Sequence, residues 1–188
     1  MNYNQAIEIA EKVKALLSPH CDRIEIAGSI RRKKPEVKDI EIVAIPKPYD
    51  IGLFESGITP VVNQWEKVKG ELPCKYTQRI LPEGIKLDLF FAEPSNWGLI
   101  YAIRTGSADY SHKVLASGWV RRGYKSSGGY LYANGKQIAV TEEKDLFELI
   151  GVPYLAPELR IGQNLPEGQS KPHLEWEEEL QIIRLFDR

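Results

Sequence analysis

The sequence has few of the residues that build disulfide scaffolds and zinc sites. It contains two cysteines, Cys21 and Cys74, and three histidines among 188 residues. The cysteines show no metal-ligand spacing and no framework of partners, which argues against a disulfide-rich secreted domain. We therefore expect reduced thiols in an intracellular protein, with a Cys21–Cys74 disulfide as the less favoured alternative.

Long apolar runs and an excess of charge are also missing. No run is long enough to cross a membrane, and residues 1–5 lack the basic start and apolar core of a signal peptide. We expect a soluble, cytoplasmic monomer that does not bind membranes. The net charge of −1 argues against a strong, sequence-independent grip on nucleic acid. Basic clusters remain at residues 31–34 and 121–125 and could form a local phosphate-binding face.

Hydrophobic periodicity predicts a chain of mixed helices and strands. Helical spacing predicts helices over residues 3–17, 29–33, 61–69, 95–103, 108–117, 141–150 and 173–186, the last one acidic. Alternation predicts strands over residues 24–27, 39–45, 75–80, 85–92, 130–133 and 136–140. Ser29 and Ser95 are expected to cap helices, and Asn134-Gly135 is a type I′ hairpin signal.

Three acidic residues on two of the predicted strands suggest a metal site. Asp39 and Glu41 are two residues apart and therefore share one face, while Asp88 lies on the polar face of a second strand. If the strands are neighbours, three carboxylates converge and divalent cations relieve their repulsion. Two Mg²⁺ about 3.5–4 Å apart could clamp an in-line phosphoryl displacement. The alternative is the solvated face of an amphipathic sheet, which is commoner for an isolated Asp-x-Glu.

A glycine-serine turn upstream favours the metal site over this alternative. Gly28 would let a phosphate approach the backbone, and Ser29 could donate a hydrogen bond at the start of a helix. Arg32, one turn along, could contact phosphate oxygens in a bidentate manner. The alternative is a tight strand-to-helix turn with solvated arginines. Because this turn occurs shortly before Asp39 and Glu41 in the sequence, the two motifs together favour a nucleotide triphosphate site.

These motifs, together with residues 104–107 (Arg-Thr-Gly-Ser) and residues 142–147, resemble the family X DNA polymerases, the beta-like nucleotidyltransferases. The resemblance covers about residues 20 to 160 by motif order. It implies an α/β (α+β) fold with a nucleotidyltransferase palm on a mixed sheet and a smaller C-terminal α+β lobe. We expect the palm over residues 1–103, the nucleotide-closing lobe over 104–160, and a tail with an acidic helix over 161–188.

The resemblance also implies roles for individual residues. Three carboxylates would bind the metal ions and carry catalysis, with Asp88 accepting the primer 3′ proton: Asp39, Glu41 and Asp88. Six residues would bind the nucleotide: Gly28, Ser29, Arg32, Thr105, Gly106 and Ser107, and the last three form a bend where the family tends to carry a cis peptide. Three residues would contact DNA: Lys86, Ser111 and His112.

The sequence departs from the family pattern at positions that bear on specificity. Glu41 stands where polymerase beta has an aspartate. This difference leaves open whether the two metal ions are Mg²⁺ or Mn²⁺. Ile103 and Arg104 replace an aromatic pair that helps exclude a ribose 2′-hydroxyl, so we predict ribonucleotide use. Ser111 and Leu115 replace side chains that probe the nascent base pair, which predicts low fidelity.

The predicted activity is metal-dependent transfer of nucleotides from a (d)NTP to the 3′-hydroxyl of a DNA primer-template or gapped DNA, as in DNA repair. The resemblance begins at the palm, so we expect no lyase chemistry and weak, salt-sensitive DNA affinity. Two alternatives stay open. One is a nucleotidyltransferase for another acceptor (an RNA end, a small molecule or a protein), and the other is a non-catalytic nucleotide-binding module.

Overall fold

The computed structural model describes residues 1–48 and 57–162. The chain forms two compact units, of which the first spans Met1–Glu93 and the second begins at Pro94. The predicted helix over 173–186 and most of the tail lie outside the described residues. Both units mix helices and strands, as the sequence predicted.

Within its described residues, 1–48 and 57–93, the first unit contains three α-helices and a five-stranded sheet. Its helices are α1 (Tyr3–Leu17), α2 (Gly28–Arg31) and α3 (Ile58–Val62), and a 3-10 turn over Ser18–His20 follows α1. Its strands are β1 (Cys21–Ile26), β2 (Asp39–Pro46), β3 (Glu66–Lys69), β4 (Tyr76–Ile80) and β5 (Lys86–Phe91). The strand order is β1-β2-β5-β4-β3, with β2 and β5 parallel and every other neighbouring pair antiparallel. The predicted mixed sheet is confirmed.

The core of the first unit lies between α1 and one face of the sheet. Alternate residues of β2 and β5, including Ile40, Ile42, Leu87 and Leu89, are fully buried there. Helix α1 contributes small and branched side chains at helical spacing: Ala6, Ile9, Ala10, Val13 and Leu17. Because side chains alternate along a strand, burying these residues directs Asp39, Glu41 and Asp88 to the opposite face.

Two expectations for the first unit are wrong. The helix predicted over 61–69 ends at Val62, and Glu66–Lys69 pairs with β4 as an antiparallel edge strand. Cross-strand hydrogen bonds here override a helical pattern that is only nine residues long. Ser29 is not the N-cap of α2, because the helix begins one residue earlier with Ala27 at the cap position.

The second unit contains four α-helices, a π-helical segment and a three-stranded sheet within its described residues. The helices are α4 (Trp97–Thr105), α5 (Ala108–Tyr110), α6 (Ser117–Arg121) and α7 (Glu143–Ile150), with the π-helical segment over Ser111–Ala116 and a 3-10 turn over Pro157–Leu159. The antiparallel strands are β6 (Lys125–Ser127), β7 (Tyr130–Ala133) and β8 (Lys136–Ile138). Helix α4 lies in the second unit, which begins at Pro94.

Local signals account for much of this unit. Asn134 and Gly135 take φ values of 49° and 77°, which confirms the predicted hairpin. Gly151, at φ 70°, ends α7 in the left-handed conformation. Ser95 does not cap α4, because Asn96 occupies the cap position without a side-chain bond. The expected cis peptide at Thr105–Ser107 is also absent, since these described residues are joined by trans bonds.

Two simpler expectations can be compared with the structure. Cys21 is buried, Cys74 is half-buried, and neither forms a disulfide, as predicted. Within residues 1–48 and 57–162, no helix combines the length and apolar character that crossing a membrane requires.

Candidate functional site

The pairing of β2 with β5 brings the predicted acids onto one face of the sheet. In the parallel register Glu41 lies opposite Asp88 and Asp39 lies opposite Lys86. The condition set by the sequence for convergence of the acids, that their two strands are neighbours, is therefore met. Lys86 is exposed, Asp39 and Glu41 are partly buried, and Asp88 is 8% exposed. Such a face can offer several oxygen ligands and a cation to a charged substrate.

Two side chains from β4 hold the Asp88 carboxylate. The Tyr76 hydroxyl donates to Oδ1 of Asp88 at 2.6 Å, and Nε2 of Gln78 donates to the same oxygen at 2.7 Å. Gln78 lies directly opposite Asp88 in the antiparallel register. Sequence reasoning missed both residues. The alternation of Tyr76–Ile80 does place Tyr76 and Gln78 on the same face of a strand. It does not show that this strand pairs with β5, so it could not predict their contact with Asp88.

Glu41 and the glycine turn fit closely together. Gly28 has φ +60°, and a Cβ added there would lie 2.6 Å from Cδ of Glu41. The carboxylate of Glu41 therefore lies against the backbone of the turn. The main-chain N–H of Ala27 also donates to the carbonyl of Glu41 at 2.8 Å, which joins the turn to β2. The positive φ favours glycine at position 28, and this contact leaves no room for a Cβ there.

Charge on this face is only partly balanced. The pKa of Asp39 is raised from its ordinary value, first by burial and then by the negative charge of Asp88, while Arg32 and Lys86 act in the opposite direction. Burial lowers the pKa of Arg32, and the charges of Glu41 and Asp39 oppose that shift. Arg32 thus shares an electrostatic environment with the acids.

The hydroxyl of Ser29 has no hydrogen-bond partner among the described residues, although its oxygen is shielded from solvent. A buried hydroxyl without a partner costs free energy, and such a group often marks a place where a ligand binds. Ser29 belongs to α2, the same turn that carries Gly28 and Arg32. The turn therefore has an unused donor beside the acidic face.

The acids as they stand do not form a preassembled metal cage. In the part of the chain that the structure describes, no group of three or more His, Cys, Asp or Glu side chains could hold one metal ion. The donor set nevertheless suits Mg²⁺ or Mn²⁺, since all three candidates are carboxylates. Burial is the first cause of the raised pKa of Asp39 and the negative charge of Asp88 is the second, and a bound cation would oppose both.

The remaining predicted residues lie in the second unit. Thr105 is fully buried, and a Cβ at Gly106 would meet the hydroxyl of Ser111 at 2.5 Å. Ser107 caps α5 by accepting a hydrogen bond from the N–H of Tyr110 at 3.1 Å. The buried hydroxyl of Ser111 donates to the carbonyl of Ile103 at 2.8 Å, so it is already engaged within its own unit. His112 is partly buried on the π-helical segment.

Comparison with known proteins bears on this second unit. The family description DNA polymerase beta thumb matches residues 101–161. This match supports a relationship with the polymerase beta-like, family X proteins and a connection with DNA binding. A search of curated proteins found no match to the chain.

Proposed function

We propose that the protein is a metal-dependent nucleotidyltransferase that adds nucleotides from a (d)NTP to the 3′-hydroxyl of DNA. One observation carries the proposal: Asp39, Glu41 and Asp88 share one sheet face beside Arg32, in a chain whose second unit matches a polymerase thumb. The unpartnered hydroxyl of Ser29 supports it from the phosphate side.

The chemistry would be an in-line displacement at the α-phosphate. The primer 3′ oxygen loses its proton to Asp88 and forms a bond to the α-phosphorus, while the bond to the leaving pyrophosphate breaks. Ser29 and Arg32 would bind the phosphate oxygens and align the triphosphate. Asp39, Glu41 and Asp88 would hold divalent cations, which supply charge stabilisation to the attacking and leaving oxygens. Gly106 and Ser107 would contact the nucleotide, and Lys86 and His112 would contact DNA, whereas Thr105 and Ser111 are buried and would act by supporting the backbone around them.

Primer extension tests the proposal. A labelled primer, alone and on a gapped template, is incubated with dNTPs and either Mg²⁺ or Mn²⁺. Wild type is compared with Asp88→Asn, which keeps the shape of the side chain, and with Asp22→Ala, a matched change of an exposed aspartate on β1. We expect template-directed extension that falls at least about 100-fold in Asp88→Asn and is unchanged in Asp22→Ala.

Two other results would change the assignment. Addition without a template would identify a terminal transferase. Nucleotide binding without extension on any DNA would favour another acceptor or a non-catalytic binding module. The non-catalytic module is also favoured by the lack of a preassembled three-ligand cluster in the described residues.

A further inference from the structure

We propose that Tyr76 and Gln78 are positioning residues, which restrict Asp88 to acting through a single carboxylate oxygen. The inference rests on the proposed function and adds two side chains of β4 to the site. Its basis is their convergence on Oδ1 of Asp88, at 2.6 Å from the Tyr76 hydroxyl and 2.7 Å from the Gln78 amide.

The two donors use one oxygen and leave the other. A carboxylate oxygen accepts about two hydrogen bonds in the plane of the group, so Oδ1 is fully engaged. No described residue donates a hydrogen bond to Oδ2. Two donors on one oxygen also fix the rotation of the carboxylate, because turning it would break both bonds. Asp88 is therefore held with Oδ2 as its reactive atom, for a cation or for the proton of a 3′-hydroxyl.

The surroundings of Tyr76 show that its hydroxyl is not needed to place its ring. The ring stacks on Phe90 with centroids 4.9 Å apart and an interplanar angle of 21°. Tyr76 and Phe90 are also direct partners in the β4–β5 register, so both backbone and ring would stay in place without the hydroxyl. A phenylalanine at position 76 therefore removes the hydrogen bond to Asp88 while the ring can stay stacked on Phe90.

Gln78 makes the second contact by a different route. It lies directly across from Asp88, and neutral glutamine can donate a hydrogen bond without adding charge to a face that already carries three acids. A glutamate here would place a like charge directly opposite Asp88. Groups that orient a metal-binding carboxylate in this way commonly contribute about 10–100-fold to metal affinity or activity.

The test uses three variants and one matched control. Tyr76→Phe and Gln78→Met each remove one donor, and the double variant removes both. Tyr3→Phe is the control, since it deletes the hydroxyl of another partly buried tyrosine that packs on the core of the first unit. Four quantities are measured: kcat and KM for the nucleotide in primer extension, the affinity of the nucleotide-free protein for Mn²⁺ by electron paramagnetic resonance, and the melting temperature.

A positioning role predicts a specific pattern. In Tyr76→Phe and in Gln78→Met, kcat falls about 10-fold and Mn²⁺ binds about 10-fold more weakly, while KM for the nucleotide changes less than about 2-fold. The double variant approaches the loss seen in Asp88→Asn, because an unrestrained carboxylate no longer presents Oδ2. Tyr3→Phe retains wild-type kcat and Mn²⁺ affinity.

The contrary outcomes separate the two proposals. If both single variants melt at a lower temperature but keep wild-type kcat and Mn²⁺ affinity, their role is structural and the inference is overturned while the proposed function stands. If the wild type neither extends primers nor binds Mn²⁺, the proposed function and the inference fall together.

Discussion

The carboxylate of Glu41 lies against the α-carbon of Gly28, so a candidate metal ligand is packed directly against a candidate phosphate-binding turn. The contact joins β2 to α2, and the N–H of Ala27 reinforces it by donating to the Glu41 carbonyl. Neither residue can change size without moving the other. This relationship gives the first prediction.

Gly28→Ala is expected to destabilise the protein by about 1–3 kcal/mol and to abolish extension, because a Cβ at φ +60° is strained and displaces Glu41. Gly84→Ala is the matched control. Gly84 has φ +78°, but a Cβ there meets nothing within 4 Å, so this variant carries the backbone strain without the collision. Urea denaturation and primer extension of both variants measure the difference. Equal losses of activity in the two variants would contradict the role of the Glu41 contact.

A second prediction concerns the buried ion pair of the second unit. Arg160 is 0% exposed, bonds Oε1 of Glu143 at 2.5 Å, and lies about 5 Å from the ring centroids of Phe147 and Tyr154. Arg160→Met removes the cation that pairs with the buried Glu143 carboxylate and is expected to cost about 3–5 kcal/mol of unfolding free energy. The double variant Arg160→Met/Glu143→Gln should cost less than Arg160→Met alone.

Chemical denaturation of the full chain measures the free energy of unfolding of these variants. Lys144→Met, an exposed change on the same helix as Glu143, is the control and should alter stability by less than about 0.5 kcal/mol. If the free energy of unfolding falls in the double variant by as much as the sum of the two single variants, the two charges do not compensate each other.

The start of helix α7 gives a pH-dependent prediction. Asp145 accepts hydrogen bonds from the N–H of Glu142 at 2.8 Å and from the Thr141 hydroxyl at 2.8 Å, and these bonds lower its pKa from 3.8. A carboxylate with a lowered folded-state pKa stabilises the fold above the unfolded pKa and loses that effect as pH falls through the folded value. Asp145→Ala is therefore expected to cost about 1 kcal/mol at pH 7.

The difference between wild type and Asp145→Ala should shrink as the pH is lowered below 3.8, since wild type then loses its charged cap. Thermal melts from pH 7 downward measure it, with Glu148→Gln, an exposed change on the same helix, as the control. A difference that stays constant over this range would show that the cap does not depend on the charge of Asp145.

A last prediction concerns the sugar of the nucleotide. Ile103 and Arg104 stand where the resembling family has an aromatic pair, and Ile103 packs against the core of the second unit. We expect measurable incorporation of ribonucleotides, because neither side chain presents an aromatic ring to a 2′-hydroxyl. Extension with matched rNTPs and dNTPs, compared by kcat/KM, measures the preference. Strong rejection of ribonucleotides by an enzyme active with dNTPs would contradict it.

Much of the fold follows from short-range pattern. The alternation in β2 and β5 predicts both strands and the shared face of Asp39 and Glu41, since side chains alternate whatever the strand pairs with. Asn134-Gly135 predicts its hairpin for a similar reason, because two residues with positive φ define the turn. The prediction of a helix over 61–69 was wrong because residues 66–69 form a strand by pairing with β4, which lies later in the chain.

The sequence by itself thus determined β2 and β5, the faces of their acids and the glycine turn, all of which depend on residues close together in the chain. Only the tertiary structure decided that Tyr76 and Gln78 bond Asp88, that Glu41 lies against Gly28, and that Arg160 is paired with Glu143. These contacts join residues ten or more positions apart. Their geometry depends on strand register and packing, which no local period encodes.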